Sequence, residues 1–218
     1  MCASGNGFTM NLKLRTEFVT PLETNAYLVW DEDTKDGVLI DPGEFSHSLR
    51  SCIASEQLKI HYILNTHGHF DHIGGNADAA RATKAKIVCH KLDAPMLENP
   101  MLNGAALFGF VIPLSKADKT VDDGDVLVAG SIRIRVFHTP GHSAGGVSYY
   151  IGSMLFSGDT LFAGGIGRYD LPGGSSEVLL RSIREKLLTL PDDTQVYPGH
   201  GPESTIGIER ETNPFLRD

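Results

Sequence analysis

Apolar positions along the chain fall into two rounds of short strands, each followed by a helical stretch. In the first half, residues 11–19, 26–30, 37–40, 60–64 and 86–89 alternate or run continuously apolar. Turn residues such as Pro21, Asp36-Gly37 and Asp41-Pro42-Gly43 bound them. Leu49, Ile53 and Leu58 recur at near-helical intervals behind serines, which predicts a helix over residues 46–58. The Ala-rich run 73–84 predicts a second helix, entered through Asp71. In the second half, Asp123-Gly124-Asp125 marks a turn. Ile132, Ile134 and Val136 then alternate with Arg133 and Arg135, so residues 131–137 read as a strand with one wet face. Residues 146–151 and 154–157 read as a hairpin across Gly152-Ser153, and 195–197 as a last short strand. Val178, Leu179, Ile183, Leu187 and Leu190 form one stripe, predicting a helix over 176–190 that Pro191 stops. Strands grouped with helices, twice over, predict an α/β protein of two packed sheets with helices outside.

Residues 1–9 read as a flexible polar leader and 10–218 as one domain, since no linker, repeat or composition shift divides them. Hydrophobic residues make up 41% and charged residues 21%, ordinary globular usage that argues against wholesale disorder. Nineteen Lys and Arg against 27 Asp and Glu leave a net charge of −8, which argues against a nucleic-acid partner. No run approaches the roughly 20 apolar residues of a membrane span; the longest, 104–114, ends in Pro113-Leu114. The start, MCASGNGFTM, has neither a basic segment nor an apolar run, so no secretory signal is expected. Three cysteines (Cys2, Cys52 and Cys89) without ligand spacing predict a reducing, cytoplasmic setting.

Histidine changes this picture. Thr66-His67-Gly68-His69-Phe70-Asp71-His72 follows an apolar strand and leads into a helix. Three imidazoles and a carboxylate so close are costly to bury unless a divalent metal holds them, and Gly74-Gly75 then lets backbone approach where side chains would block. Three further segments run from an apolar strand into a Gly- or Pro-containing turn that presents one ligand-type residue: His142 after Thr139-Pro140-Gly141, Asp159 after Ser157-Gly158, and His200 after Pro198-Gly199. Together they offer seven candidate ligands, His67, His69, Asp71, His72, His142, Asp159 and His200. That is too many for one tetrahedral zinc and suits two metals sharing a carboxylate. His138 falls on the apolar side of its strand and reads as a packed core residue, while His47, His61 and His90 read as surface or capping groups. Cys89 and His90 are neighbours in a strand and point to opposite faces, which argues against a nucleophile pair.

The series His67-x-His69-x-Asp71-His72, His142, Asp159 and His200 resembles the signature of the metallo-β-lactamase superfamily, over residues 11–203. Ser157-Gly158-Asp159-Thr160-Leu161-Phe162 and Gly165-Ile166-Gly167-Arg168-Tyr169-Asp170 resemble a loop of the single-domain glyoxalase II-like (hydroxyacylglutathione hydrolase-like) members. The resemblance implies an αββα four-layer sandwich, with His67, His69 and His142 on a first metal, Asp71, His72 and His200 on a second, and Asp159 bridging them. It further implies metal-dependent hydrolysis of a small-molecule thioester, foremost S-2-hydroxyacylglutathione, by a metal-bridged hydroxide. Asp71 and Asp159 are the catalytic carboxylates in this reading, and Asp71 also orients the water. The cofactor expected is a pair of divalent ions, zinc first, with iron or manganese also compatible.

The larger two-domain glyoxalase II carries a helical C-terminal domain with basic residues for glutathione. Only 18 residues follow His200, so that domain is not expected and glutathione recognition must come from elsewhere. Arg168 is the candidate for a substrate carboxylate, against the alternative that it fixes its loop by pairing with Asp170. The 104–114 segment is a candidate pocket wall. Persulfide dioxygenases resemble the same scaffold with one iron on two His and one Asp, matched here by His67, His142 and Asp159. A lactonase or esterase is a further alternative, since the same attack cleaves an ester.

Overall fold

The computed structural model describes residues 11–217, so the expected leader, residues 1–9, lies outside the described residues. The first sheet has six strands in sequence order: β1 (Leu12–Val19), β2 (Thr24–Asp31), β3 (Asp36–Ile40), β4 (Lys59–Leu64), β5 (Lys86–His90) and β6 (Lys119–Val121). It is antiparallel through β3 and parallel from β3 to β6. The second sheet uses β7 (Val126–Ala129), β8 (Ile132–His138), β9 (Val147–Ile151) and β10 (Met154–Gly158). A two-stranded ribbon, β11 (Leu161–Phe162) and β12 (Gly165–Ile166), precedes β13 (Gln195–Pro198) and β14 (Ser204–Thr205). The order in this second sheet is β14-β13-β10-β9-β8-β7, with β10 and β13 parallel.

Strand alternation builds three apolar layers. In β2, Ala26, Leu28 and Trp30 face one cluster while Tyr27 and Val29 face another, because successive side chains leave a strand on opposite sides. The first cluster lies under α1 (His47–Ser55) and α3 (Asn76–Thr83), through Leu49 and Ala79. The middle cluster is sealed between the two sheets by Val38, Ile134, Tyr149 and Phe156. The third packs Leu155 and Val196 against Leu179 and Ile183 of the late helix and Ile206 of a final one. Helix, sheet, sheet and helix make the four-layer sandwich expected. Arg133 and Arg135 form the exposed face of β8, also as expected.

Several boundaries differ from the sequence reading, each for a local reason. The helix expected over 73–84 is two: α2 (Phe70–Ile73) and α3, broken at Gly74-Gly75. There Gly75 N–H donates to the Pro42 carbonyl at 2.7 Å, and a Cβ on Gly75 would meet the backbone at Phe45. The helix expected over 46–58 ends at Ser55, and Gln57 takes a positive φ of 56°. The late helix is α6 (Ser176–Ser182) continued by a π-helical turn over Ile183–Leu187. The short helices α4 (Ala94–Leu97) and α5 (Ala105–Phe108), and the last helix α7 (Ile206–Thr212), lack the periodicity that would have announced them. No helix among the described residues is long and apolar enough to cross a membrane.

Phe156 sits between the sheets against Tyr27 (5.1 Å between ring centroids) and Tyr197 (5.3 Å). Phe156→Ala should lower unfolding stability by about 3–5 kcal/mol through the cavity it leaves. Urea denaturation followed by tryptophan fluorescence would measure the loss.

Candidate metal centre

The chemistry-bearing turns all lie at one edge of the sandwich. His67 and His69 follow β4, His142 follows β8, Asp159 follows β10 and His200 follows β13. Backbone bonds tie the sheets together there: Val147 N–H donates to Thr66 O (2.7 Å) and Asn25 N–H to Gly199 O (2.7 Å). The structure thus brings all seven predicted residues together. His67, His69 and His142 can each offer one ligand atom to a common point, and so can Asp71, His72 and His200. The Asp159 carboxylate lies between the sets. Its Oδ1 is 3.5 Å from His72 Nε2, and its Oδ2 is 3.6 Å from His142 Nε2 and 3.7 Å from His200 Nε2. Gly199 permits this approach, since a Cβ there would stand 2.1 Å from Asp159 Oδ1.

The ring tautomers are set from behind. His142 Nδ1–H donates to the Arg168 carbonyl (2.7 Å) and His200 Nδ1–H to the Leu22 carbonyl (3.0 Å). His72 Nδ1–H donates to Asp41 Oδ2 at 3.1 Å. The Thr66 hydroxyl donates to that same oxygen at 2.6 Å, which leaves its own oxygen to accept from His67 Nδ1–H at 3.1 Å. Each of these four rings therefore turns its Nε2 inward. His67 Nε2 and His142 Nε2 face one another at 3.3 Å with their protons committed elsewhere. His72 Nε2 and Asp159 Oδ1 are buried without a hydrogen-bond partner. Convergent imidazole lone pairs, orphaned buried polar atoms and carboxylates together fit a pair of divalent cations.

Electrostatics divide the centre in two. Burial and the neighbouring imidazoles push His67 well below the usual histidine range and His69 down to about 3, so both are neutral donors. Burial also disfavours charge on His72, but Asp71, Asp159 and Asp41 outweigh it and push that ring up to about 10. Burial likewise opposes ionisation of Asp71, yet His72 and His200 hold its carboxyl below the ordinary range, with the Thr24 hydroxyl donating to it at 3.0 Å.

Sequence reading missed two positioning residues. Asp41, taken there for a turn residue, accepts from Thr66 N–H and Oγ1–H as well as from His72. Asp93 is buried and accepts from Gly68 N–H (3.0 Å), Ser143 Oγ–H (2.7 Å) and Gly145 N–H (2.7 Å), clamping the loop of His67 and His69 to that of His142. Their partners lie 25 to 52 residues away, so no local motif marks either one. Arg168 forms a two-pronged pair with Asp170 (2.8 and 2.9 Å) at the mouth of the site.

The other histidines fall into place. His138 is not a core residue. It is half-buried, stacked on His90 at 4.1 Å, with Nε2–H donating to the Ala144 carbonyl. His90 is buried rather than at the surface, whereas His61 pairs with Asp36 at 2.6 Å and His47 faces Ser51. Burial pushes the Cys89 thiol up to about 12, which leaves it without nucleophilic character.

The family model described as the metallo-beta-lactamase superfamily matches residues 19–200. The chain belongs to that superfamily. It is 39% identical to the probable metallo-hydrolase YqgX of Bacillus subtilis, over 94% of this chain and 98% of that protein. It is 35% identical to the hydroxyacylglutathione hydrolase GloC of Haemophilus influenzae, over 91% and 95%. Among solved structures it resembles the BLEG-1 B3 metallo-beta-lactamase (TM-score 0.90, 42% identity, 94% of this chain and 100% of that one). It also resembles TTHA1623 in a di-iron-bound form (TM-score 0.82, 41% identity, 93% and 100%).

Against the effect of burial, Asp71, Asp159 and Asp41 hold a proton on His72 far above the ordinary pKa of 6.5, so a cation bound through its Nε2 must displace that proton. At pH 7 about one proton should be released from His72 per loaded centre. Apparent affinity should then rise with pH through the neutral range, since His200 is also held, against burial, above the usual histidine range by Asp71 and Asp159. Titration calorimetry with Zn²⁺ in two buffers of different ionisation enthalpy reads this directly.

Proposed function

We propose that this chain is a metal-dependent hydrolase of acyl thioesters, with a glutathione thioester such as S-lactoylglutathione as the first substrate to test. The observation that carries the reading is the shared carboxylate. Asp159 spans two buried ligand sets that open together into one cleft. His67, His69 and His142 would hold one divalent ion, Asp71, His72 and His200 the other, and Asp159 both. When bound, such a pair polarises a carbonyl and lowers the pKa of a water.

The chain's own groups do the rest. Thr24 and His200 fix the Asp71 carboxylate, so Asp71 can orient the attacking water. The carbonyls of Leu22 and Arg168 and the Asp41 carboxylate orient the rings of His200, His142 and His72 so that each Nε2 points inward. Water oxygen bonds to the acyl carbon and the C–S bond breaks. The sulfur leaves with the electron pair, giving a carboxylic acid and a thiol after proton transfer. Similarity to a protein named as a hydroxyacylglutathione hydrolase supports the thioester. Two complete ligand sets favour hydrolysis over a single-iron dioxygenase. Likeness to a B3 metallo-beta-lactamase makes a β-lactam the competing acyl substrate. A cytoplasmic setting, the source of glutathione thioesters, accords with the two free thiols Cys52 and Cys89.

Metal-replete protein should hydrolyse S-lactoylglutathione and lose that activity with a chelator. Asp159→Ala should reduce kcat by at least about a thousandfold, with loss of bound metal measured by elemental analysis. Turnover that survives chelation would sink the proposal. Oxygen uptake with glutathione persulfide by the iron-loaded protein, without hydrolysis, would replace it by the dioxygenase.

Arg168 tests how glutathione is met. Arg168→Ala should raise KM for the glutathione thioester several-fold with little change in kcat, if the guanidinium leaves Asp170 for a substrate carboxylate. An unchanged KM in steady-state assays would assign it to the loop alone.

A further inference from the structure

The metal-ligating turns open into a cleft of about 570 Å³, within the range of cavities that enclose a drug-sized molecule. Its floor is polar, with His69, Asp71, His142, Asp159 and His200. Its far wall is different in kind. Leu92, Met96, Met101, Leu102, Leu107 and Phe108 line it, from α4, α5 and the turns around them. Several stand well out of the protein interior, Met101 at 72% exposure and Leu107 at 67%. An apolar surface of this extent, continuous with a buried reaction centre, is a costly thing to leave wet. Phe70 carries it inward: the ring stands between His69 and Asp71 in sequence and stacks on Phe110 at 4.8 Å, with Phe108 at 6.0 Å. The apolar wall thus reaches the metal-ligating floor.

Charge points the same way. Arg168 is the one Lys or Arg among the described residues lining the cleft, and Asp170 already occupies both prongs of it. A single engaged guanidinium at the mouth is sparse recognition for glutathione, which carries two carboxylates. A lactoyl group, short and hydroxylated, would leave the Met and Leu wall uncovered.

We infer that the cleft selects thioesters whose acyl group is a medium-length, apolar chain, laid along Leu92, Met96, Leu107 and Phe108 with the carbonyl at the metal-ligating floor. This rests on the hydrolase reading above and specifies its substrate class. Burying each additional methylene against that wall strengthens transition-state binding, up to the length of the cleft.

The test holds the thiol constant and varies the acyl group. Metal-replete protein is assayed with S-lactoyl-, S-butanoyl- and S-octanoylglutathione. The expected result is a kcat/KM at least tenfold higher for octanoyl than for lactoyl. Leu107→Asp, a change at an exposed position, should lower the octanoyl value at least fivefold more than the lactoyl value. Equal or better turnover of lactoyl would overturn the inference while leaving the hydrolase intact. Hydrolysis of none of the three would overturn the hydrolase reading itself. Binding then decides the wall separately: octanoate should bind the metal-loaded protein at least tenfold more tightly than lactate by calorimetry, and equal affinities would remove the apolar site.

Discussion

At the edge of the sandwich, His67 Nε2 and His142 Nε2 look at one another across 3.3 Å, each with its only proton committed on the far side of the ring. His69 Nδ1 also reaches His142 Nε2, at 2.9 Å, so three ring nitrogens converge here while Thr66 and the Arg168 carbonyl hold two of the rings from behind. A few ångströms away the imbalance is reversed, because Asp71, Asp159 and Asp41 crowd around His72 and force a proton onto it. Buried in a medium that screens poorly, both arrangements concentrate imidazole nitrogens and carboxylates within reach of a common point. Cations of high charge density relieve both at once, accepting the lone pairs on one side and balancing the carboxylates on the other. The centre is therefore built around charge and donor atoms that bound cations would balance.

That tension explains why the surroundings are so heavily tied. Sandwich sheets alone would leave the strand-end turns free to splay apart under mutual repulsion. Instead Asn25 reaches across to the Pro198 and Gly201 carbonyls, Asp41 pins Thr66, and Asp93 grips three donors from two loops. The close backbone approach at Gly199 belongs to the same economy of space: any side chain there would occupy the volume of the shared carboxylate. Rigid strand ends and hydrogen-bonded turns hold the ligands within the tolerance that metal coordination and acyl attack require.

The strands were readable from sequence because their patterns reflect burial on one or two faces: β8 alternates buried and exposed positions, while β2 is apolar along its length and buried throughout. The ligands were readable because clustered histidines after apolar strands are chemically conspicuous. What escaped reading was whatever depends on distant partners. The break at Gly74-Gly75 follows from packing against residues 42–45, not from any weakness of the Ala-rich run itself. His138 sits at the end of an apolar strand, yet its ring leaves the core to stack on His90, 48 residues earlier by number and adjacent in space. Asp41 and Asp93 look like ordinary turn acids until the fold delivers Thr66, His72, Gly68 and Ser143 to them.

The chemistry and the selectivity of the cleft sit on elements of different mechanical character. Every candidate ligand follows a strand embedded in a sheet or is held by a bond to another turn. The apolar wall, by contrast, is built on α4 and α5, four residues each, too short to persist by their own backbone bonds. Gly104 and Gly109, at φ of 85° and 75°, close both ends of α5 in a conformation that side chains resist. Buried Leu97 and Asn103, the latter bonded to Met96, Ala105 and Phe70, anchor the segment between them. Substitutions at Met101, Leu107 or Phe108 can reshape the wall while leaving in place Asp93, whose carboxylate clamps the ligand loops. Membership of the superfamily therefore constrains the reaction far more than the acyl group, and in this fold substrate range can follow the exposed apolar positions of residues 101–108 while Asp93 and the centre stay fixed.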